Sequence, residues 1–233
     1  MKREKITLSV ADGTKMDAFV VYPEGPGPHP GIMVFQEAFG VNSHIRNIAE
    51  RLAGQGYIAI APELFHRTAP GFEGSYTDFS SVMPHMQAIN TEGLEKDIRA
   101  SYDWLAVNTS VKSDKIGSIG FCMGGRVSFL ANIILPLAAS VSYYSGSMPA
   151  LADRLHEIHA PHLMFWGGLD KHILPEHIQL VVESLQKAQK TFINVVISFA
   201  DHGFNCDERA SYNPQAAKEA WALTLSFFEN RLR

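Results

Sequence analysis

Short apolar runs alternate with amphipathic segments along almost the whole chain. An unbroken apolar run of four to eight residues is typical of a strand buried on both faces, and apolar residues at helical spacing predict a helix. The predicted strands are Ile6–Val10, Met16–Pro23, Pro30–Glu37, Tyr57–Leu64, Lys115–Phe121, Ala138–Tyr144, His162–Gly167 and Phe192–Phe199. The predicted helices are Ile45–Leu52, Thr91–Asn108, Met123–Ile134, Pro175–Gln189 and Gln215–Leu232.

This alternation predicts an α/β fold with a mostly parallel central sheet and helices on both faces. Asp12-Gly13 between the first two strands indicates a hairpin turn. No internal repeat or linker interrupts the pattern, so residues 1–233 are expected to form a single domain. Thr68 to Asn90, rich in Gly, Pro and Ser, is the one long irregular segment, and we expect it to be a surface excursion near the functional site.

Composition excludes several classes of function. A net charge of −4 gives no basic surface for nucleic acid, and no apolar run reaches the roughly 18 residues that span a bilayer. The N-terminal residues MKREKITLSV have no apolar stretch of the kind found in a signal peptide. Two cysteines, Cys122 and Cys206, are too few for a disulfide framework and suit a reducing compartment. We therefore expect a cytoplasmic protein without nucleic-acid or membrane partners.

One cysteine lies at a corner between a strand and a helix. Gly120 and Gly124 flank Cys122 in the pattern G-x-C-x-G, which resembles the nucleophile elbow of hydrolases. Glycines are needed there because a Cβ would collide with the neighbouring strand or helix. A helix N-terminus also favours a thiolate. The alternative is a buried structural cysteine in a glycine-containing turn.

A base and an acid follow the cysteine in the order that the elbow requires. Asp170 comes just after the strand ending in FWG, and His202 just after the strand ending in ISF. Because parallel strands end at one edge of a sheet, Cys122, Asp170 and His202 are expected to form a catalytic triad. Asp201 is a weaker candidate for the acid, because it is adjacent to His202 and adjacent side chains diverge. His172, two residues past Asp170, is a rival base that ranks below His202 because of its place in the chain order.

Glu37 ends a buried strand, and the loop that begins there should supply part of an oxyanion hole. The backbone N–H groups of Met123, directly after the nucleophile, and of Ala38 are the predicted donors. The alternative for Glu37 is a strand-end carboxylate that faces water.

Neither a metal nor an organic cofactor is expected. His156, His159 and His162 are spaced by three residues, but Pro161 breaks any helix that would align them, and no carboxylate pattern completes a zinc site. No G-x-G-x-x-G follows the first strand, which argues against a dinucleotide site.

Several motifs together resemble those of the dienelactone hydrolases, cysteine hydrolases of the α/β-hydrolase fold. The motifs are QEAFGVN, GYIAIAPELFHR, IGFCMGGR, YYSG, GGLD, HGFN and AAKEAWALTLSFF. The resemblance implies a Cys122–His202–Asp170 triad that cleaves esters or lactones of small carboxylic acids through a thioester acyl-enzyme. It also implies that Glu37 takes the thiol proton once substrate binds, and that the chain is a monomer.

The residues that would bind the substrate are less well defined by the resemblance. Family members hold an anionic substrate with arginines. No arginine occurs between Thr68 and Ile98, so Arg67 is the nearest candidate. Arg209 follows the histidine, and two roles are open for it: it reaches the site, or it pairs with Asp207 or Glu208 on the surface. Tyr144 is a further candidate for the substrate-binding wall.

Two alternatives to a dienelactone-type hydrolase stay open from the sequence. The same machinery could serve a general carboxylesterase or thioesterase, which the missing arginine favours. A redox-responsive thiol protein could instead use Cys122 and Cys206 without turnover, although it would have no need of Asp170 and His202.

Overall fold

The computed structural model describes residues 1–233, which form eight strands, six α-helices and one 3-10 helix. The strands are β1 (Lys2–Ser9), β2 (Lys15–Tyr22), β3 (His29–Phe35), β4 (Ile58–Pro62), β5 (Val111–Phe121), β6 (Ala139–Tyr143), β7 (His162–Gly167) and β8 (Phe192–Ile197). The α-helices are α1 (Ser43–Gly54), α2 (Met83–Ala88), α3 (Thr91–Val107), α4 (Met123–Ile134), α5 (Pro175–Lys187) and α6 (Pro214–Leu232). The 3-10 helix is Met148–Glu157.

The strands form one sheet in the order β1-β2-β4-β3-β5-β6-β7-β8. The hairpin strands β1 and β2 are antiparallel, and β2 also runs antiparallel to β4. The pairs β3–β4, β6–β7 and β7–β8 are parallel. The predicted α/β fold with a mostly parallel sheet is confirmed.

The chain divides into two compact units, residues 1–117 and 118–233. In the first unit, consecutive β3 side chains such as Ile32, Met33 and Val34 are all fully buried. Successive side chains of a strand point to opposite faces, so the sheet is covered on both sides here. Helices α1 and α3 both pack on β3 and β4 and provide that cover.

In the second unit, α4 packs on β6, and α6 packs on β6 and β7. Every residue of β6 and β7 is buried, whereas five of the six residues of β8 are partly or fully exposed because this strand lies at the end of the sheet. The loops that begin at the carboxyl ends of β7 and β8 carry Asp170 and His202, the predicted site residues.

Three helices begin at an asparagine whose side chain accepts a hydrogen bond from the first turn. Asn42 accepts from Ile45 N–H, and Asn90 and Asn213 cap α3 and α6 in the same way. The sequence prediction missed two short elements, α2 inside the excursion and the 3-10 helix after β6. None of the helices is both long and apolar enough to cross a bilayer.

Candidate active site

Cys122 occupies the corner between β5 and α4 in a strained backbone conformation. Its φ of 54° and ψ of −116° lie outside the regions that most residues adopt. A Cβ on Gly120 would lie 1.8 Å from the carbonyl oxygen of Gly124, which is backbone and cannot move aside. The glycine on the strand side of the corner is therefore required by close packing, as the elbow pattern predicts.

Cys122, His202 and Asp170 form a continuous chain of polar contacts. Nε2 of His202 lies 3.1 Å from Sγ of Cys122, and Nδ1 lies 2.7 Å from Oδ2 of Asp170. The Asp170 side chain is completely buried and the His202 side chain is 11% exposed. Cys122 itself is partly exposed, so a reacting group can reach the sulfur while the carboxylate is shielded from water.

The charged groups of Cys122, His202 and Asp170 shift one another's pKa values. Burial opposes a charged His202, but the Cys122 thiolate and the Asp170 carboxylate outweigh burial and raise the pKa of His202 to about 10. Burial would raise the pKa of Asp170, but hydrogen bonds from His202 and from the N–H groups of His172 and Ile173 hold it below its ordinary value. The arrangement therefore favours the protonated form of His202.

Arg126, in the first turns of α4, adds a positive charge near the thiol. Burial lowers the pKa of its guanidinium, and the negative charge of Cys122 acts in the opposite direction. Arg126 is thus a partly buried cation within electrostatic reach of Cys122.

Two neighbours fix the position of the His202 ring. Tyr144 is fully buried at a φ of 38°, and its ring centre lies 5.1 Å from that of His202. His172 approaches edge-on at 5.6 Å, and its backbone N–H donates to Oδ1 of Asp170 at 2.7 Å. His172, the rival base, thus contacts both His202 and Asp170, whereas the ring nitrogen beside Cys122 belongs to His202.

Arg209 lies against the residue that follows His202. A Cβ on Gly203 would be 2.6 Å from the guanidinium carbon of Arg209, so this cation packs directly on the glycine backbone. Of the two roles open for Arg209, this position suits a cation near the site.

Glu37 and Ala38 lie in the first unit, and both are buried. The carboxylate of Glu37 accepts a hydrogen bond of 3.1 Å from the Tyr76 hydroxyl, which in turn accepts one of 2.8 Å from the Asn42 amide. The Tyr76 ring lies 4.4 Å from that of Phe39. Tyr76, in the irregular segment Thr68–Asn90, therefore holds the Glu37 carboxylate. Glu37 is buried, so it is not a strand-end carboxylate that faces water.

Arg67 is engaged in ion pairs within the first unit. Its guanidinium donates two hydrogen bonds of 2.8 Å to the fully buried Asp97 and a third to Asp12. A substrate carboxylate would have to compete with both aspartates. The predicted role of Arg67 in substrate binding stays a prediction.

The predicted oxyanion donors are placed in different units. Met123 is the first residue of α4, and the first N–H groups of a helix have no partner within the helix. Ala38 is 2% exposed and belongs to the loop that begins after β3. Their joint role stays a prediction.

Sequence analysis missed Tyr76, Asn42 and Arg126. Tyr76 follows Glu37 by 39 residues and lies in a segment without periodicity, so no local pattern connects the two. Asn42 had a detectable signal, since an asparagine directly before an amphipathic helix is a typical N-cap. Arg126 is part of the GFCMGGR motif, where its distance from the cysteine of about one helical turn points to the same end of the helix.

A mostly parallel sheet with a cysteine at a strand-to-helix corner, and an aspartate and a histidine after two later strands, defines an α/β-hydrolase. The model of the dienelactone hydrolase family matches residues 16–232, and the chain belongs to that family. It is therefore an enzyme, a carboxylic ester hydrolase.

Individual relatives agree with this assignment. A protein named carboxymethylenebutenolidase from Synechocystis is 34% identical over 225 residues, which cover 92% of each chain. One of the same name from Escherichia coli K12 is 32% identical over 94% of this chain and 84% of its own. The crystal structure of a protein named dienelactone hydrolase from Klebsiella pneumoniae superimposes with a TM-score of 0.87 at 30% identity, covering 98% of this chain and 99% of that one.

Proposed function

We propose that Cys122 is the nucleophile of a Cys122–His202–Asp170 triad that hydrolyses small esters or lactones. The observation that carries this proposal is the continuous contact from Sγ through the His202 ring to the buried Asp170 carboxylate. The strained corner at Cys122 and the raised pKa of His202 support it.

In the first half-reaction the Cys122 thiolate attacks the carbonyl carbon, and the carbonyl oxygen becomes an oxyanion. The N–H groups of Met123 and Ala38 are the proposed donors to that oxygen. The tetrahedral intermediate collapses to a thioester as the carbon–oxygen bond of the ester breaks, and the His202 imidazolium gives its proton to the leaving oxygen.

In the second half-reaction neutral His202 takes a proton from water, and the hydroxide attacks the thioester carbon. The carbon–sulfur bond breaks, which releases the carboxylic acid and regenerates the thiolate beside a protonated His202. Asp170 keeps its negative charge throughout and holds the ring in the tautomer that the reaction needs.

Glu37 is the proposed acceptor of the Cys122 thiol proton once substrate binds, as the family resemblance implies. The Glu37 side chain is buried and accepts a hydrogen bond from Tyr76, which supports a positioned proton acceptor rather than a carboxylate that faces solvent. Tyr76 and Asn42 would then position this carboxylate.

The proposed substrate class is a small ester or lactone whose acyl part carries a carboxylate, with Arg209 as the anchor and Tyr144 in the binding wall. The position of the Arg209 guanidinium against Gly203 supports this choice. A general carboxylesterase or thioesterase is the second candidate, because the ion pairs of Arg67 with Asp97 and Asp12 leave it poorly placed as a second anchor. A cytoplasmic monomer stays a prediction from the sequence and the resemblance.

Initial rates on an anionic dienelactone and on a neutral aryl acetate test the proposal, with Cys122→Ala as the control. We expect the lactone to be preferred, Cys122→Ala to abolish both activities, and Arg209→Gln to raise KM for the lactone alone. Equal rates on both substrates would favour the general esterase. Full activity of Cys122→Ala would overturn the nucleophile assignment.

A further inference from the structure

His162 is a buried histidine that the proposed mechanism does not use. It begins β7, its side chain is fully buried, and its ring stacks on Phe129 of α4 with ring centres 3.6 Å apart. Burying a polar ring is costly unless its nitrogens are hydrogen-bonded, so the partners of His162 are informative.

Both ring nitrogens of His162 have a hydrogen-bond partner, and the hydrogen bonds are donated in one direction, from Asn132 towards Gly125. The Asn132 amide lies 3.3 Å from Nδ1, and Nε2 lies 2.6 Å from the Ser142 hydroxyl. The Ser142 hydroxyl in turn donates to the carbonyl oxygen of Gly125 at 3.1 Å. Because a serine hydroxyl has one proton and gives it to Gly125, it accepts from Nε2–H, which fixes the tautomer of His162.

The series of hydrogen bonds that starts at His162 ends at the first turn of α4. Gly125 N–H donates to the Cys122 carbonyl at 3.0 Å, and Cys122 N–H donates to the Tyr143 carbonyl, also at 3.0 Å. A Cβ on Gly125 would lie 2.3 Å from the Ser145 hydroxyl and 3.0 Å from the Tyr143 carbonyl oxygen. The turn that carries Cys122 therefore lies directly on the end of β6, and the Ser142 hydrogen bond is one of two that hold it there.

We propose that His162 is a positioning residue for the nucleophile, acting through Ser142 on the Gly125 carbonyl. This inference rests on the proposed role of Cys122. The His162–Ser142–Gly125 relay orients the first turn of α4, so it sets the distance between Sγ and His202 and the direction of the N–H groups at the helix end. Because burial lowers the pKa of His162 to about 3, the ring stays neutral and the relay keeps its direction at all pH values at which a hydrolase of this kind works.

The same helix supplies a matched control. The hydroxyls of Ser118, Ser128 and Ser140 form a closed triangle with distances of 2.6–3.0 Å, and all three residues are fully buried. Ser128 lies one turn further along α4 than Gly125, and its hydroxyl bonds to Ser118 and Ser140 rather than to the first turn. Ser128→Ala therefore removes a buried hydroxyl between α4 and the sheet without touching the relay.

The test compares Ser142→Ala, His162→Phe, His162→Gln and Ser128→Ala. Hydrolysis of an aryl acetate gives kcat and KM, and mass spectrometry of iodoacetamide-treated protein gives the alkylation rate of Cys122 without any substrate. The buried Cys206 is alkylated only on unfolding and reports the folded fraction in the same sample.

We expect Ser142→Ala and His162→Phe to lower kcat by about tenfold, with KM little changed, since a small displacement of a reacting group has an effect of this order. Alkylation of Cys122 should slow in parallel. His162→Gln should recover most of the rate because its amide can donate to Ser142. The double variant Ser142→Ala/His162→Phe should be no slower than Ser142→Ala alone, because both changes break one relay.

Unchanged kcat and alkylation in Ser142→Ala would overturn the proposal, and so would an equal loss in Ser128→Ala, which would mark a general packing effect. Ser142→Ala removes a single oxygen atom and keeps the test decisive if His162→Phe does not fold. Failure of the proposed function is recognised separately, by hydrolysis that persists in Cys122→Ala.

Discussion

The sulfur of Cys122 and Nε2 of His202 lie 3.1 Å apart although 80 residues separate them in the chain. This distance allows a proton to pass directly between the two atoms. It also makes the charge of each group depend on the other.

Replacement of the thiol should therefore lower the pKa of His202. In the wild-type enzyme the thiolate and Asp170 outweigh burial and hold the pKa of the imidazole at about 10. In Cys122→Ala the thiolate is gone while burial remains, so the ring should lose its proton at a lower pH. NMR titration of the histidine side chains, with His202→Gln to assign the signal, measures the shift. An unchanged pKa in Cys122→Ala would contradict the ion pair.

Asp170→Asn should lower kcat by about 10²–10⁴-fold, because the amide can hold the ring in the wrong tautomer and cannot stabilise its positive charge. Asp201→Asn is the matched control: Oδ1 of Asp201 accepts only from the backbone N–H of His202, at 2.6 Å. We expect Asp201→Asn to keep kcat within about threefold of wild type. A larger loss of kcat in Asp201→Asn than in Asp170→Asn would show that Asp201, and not Asp170, is the acid of the triad.

Gly120→Ala should destabilise the fold by at least about 1–3 kcal/mol, because the new Cβ meets the backbone of α4 and not a movable side chain. Gly146→Ala is the control, since nothing lies within 4 Å of the Cβ position there. Chemical unfolding of both variants measures the difference. Equal stability of the two variants would show that the corner relaxes freely.

Acid should destabilise the wild-type protein through His162. Burial lowers the pKa of this group to about 3 in the folded state, against an ordinary value of 6.5. The unfolded chain therefore takes up a proton below pH 6.5 that the folded chain refuses, and stability falls as the pH falls towards 3. From pH 7 to pH 5 this contribution is about 2 kcal/mol.

Urea unfolding of wild type and His162→Gln at pH 7 and pH 5 checks this contribution. All other titrating groups are common to the two proteins, so the difference between their pH effects reports His162. If both proteins lost the same stability between pH 7 and pH 5, the folded protein would accept a proton on His162 without a free-energy cost.

Tyr76→Phe should lower the free energy of unfolding by about 1–3 kcal/mol, because the buried Glu37 carboxylate loses a hydrogen bond. In a Glu37→Gln background the same change should cost less, since no charge is left to stabilise. A double-mutant cycle by chemical denaturation measures the coupling. Additive effects would mean that the Tyr76 hydroxyl contributes through Asn42 and not through Glu37.

The alternation of apolar runs was sufficient to predict the order of the principal elements. Buried strands such as Ile58–Pro62 and His162–Gly167 have nearly continuous apolar sequences, because helices cover the sheet on both sides. The 3-10 helix buries Met148, Leu151 and Leu155, so its apolar spacing was a signal that the sequence prediction overlooked. α2 was missed for the opposite reason. α2 has six residues and buries none of them, so it has no apolar face that a pattern could reveal.

For the candidate site, the sequence predicted the residues that a motif marks and missed those that only tertiary structure brings in. The glycines around Cys122 follow from local geometry, and Asp170 and His202 follow from the strand-end rule. Tyr76 and Ser142 have no such signal. His162 drew attention only as one of three evenly spaced histidines, and its role depends on a hydrogen bond to another strand.

The strained corner at Cys122 separates the choice of nucleophile from the choice of fold. Its backbone needs a glycine at position 120 and a small, unbranched side chain at position 122, and serine meets the second requirement as well as cysteine does. An ancestor of this enzyme could exchange sulfur for oxygen, or the reverse, in one substitution without rebuilding the sheet. The backbone of the corner thus accepts either atom, and the charged groups around it, His202 and Arg126, are what distinguish a thiol from a hydroxyl.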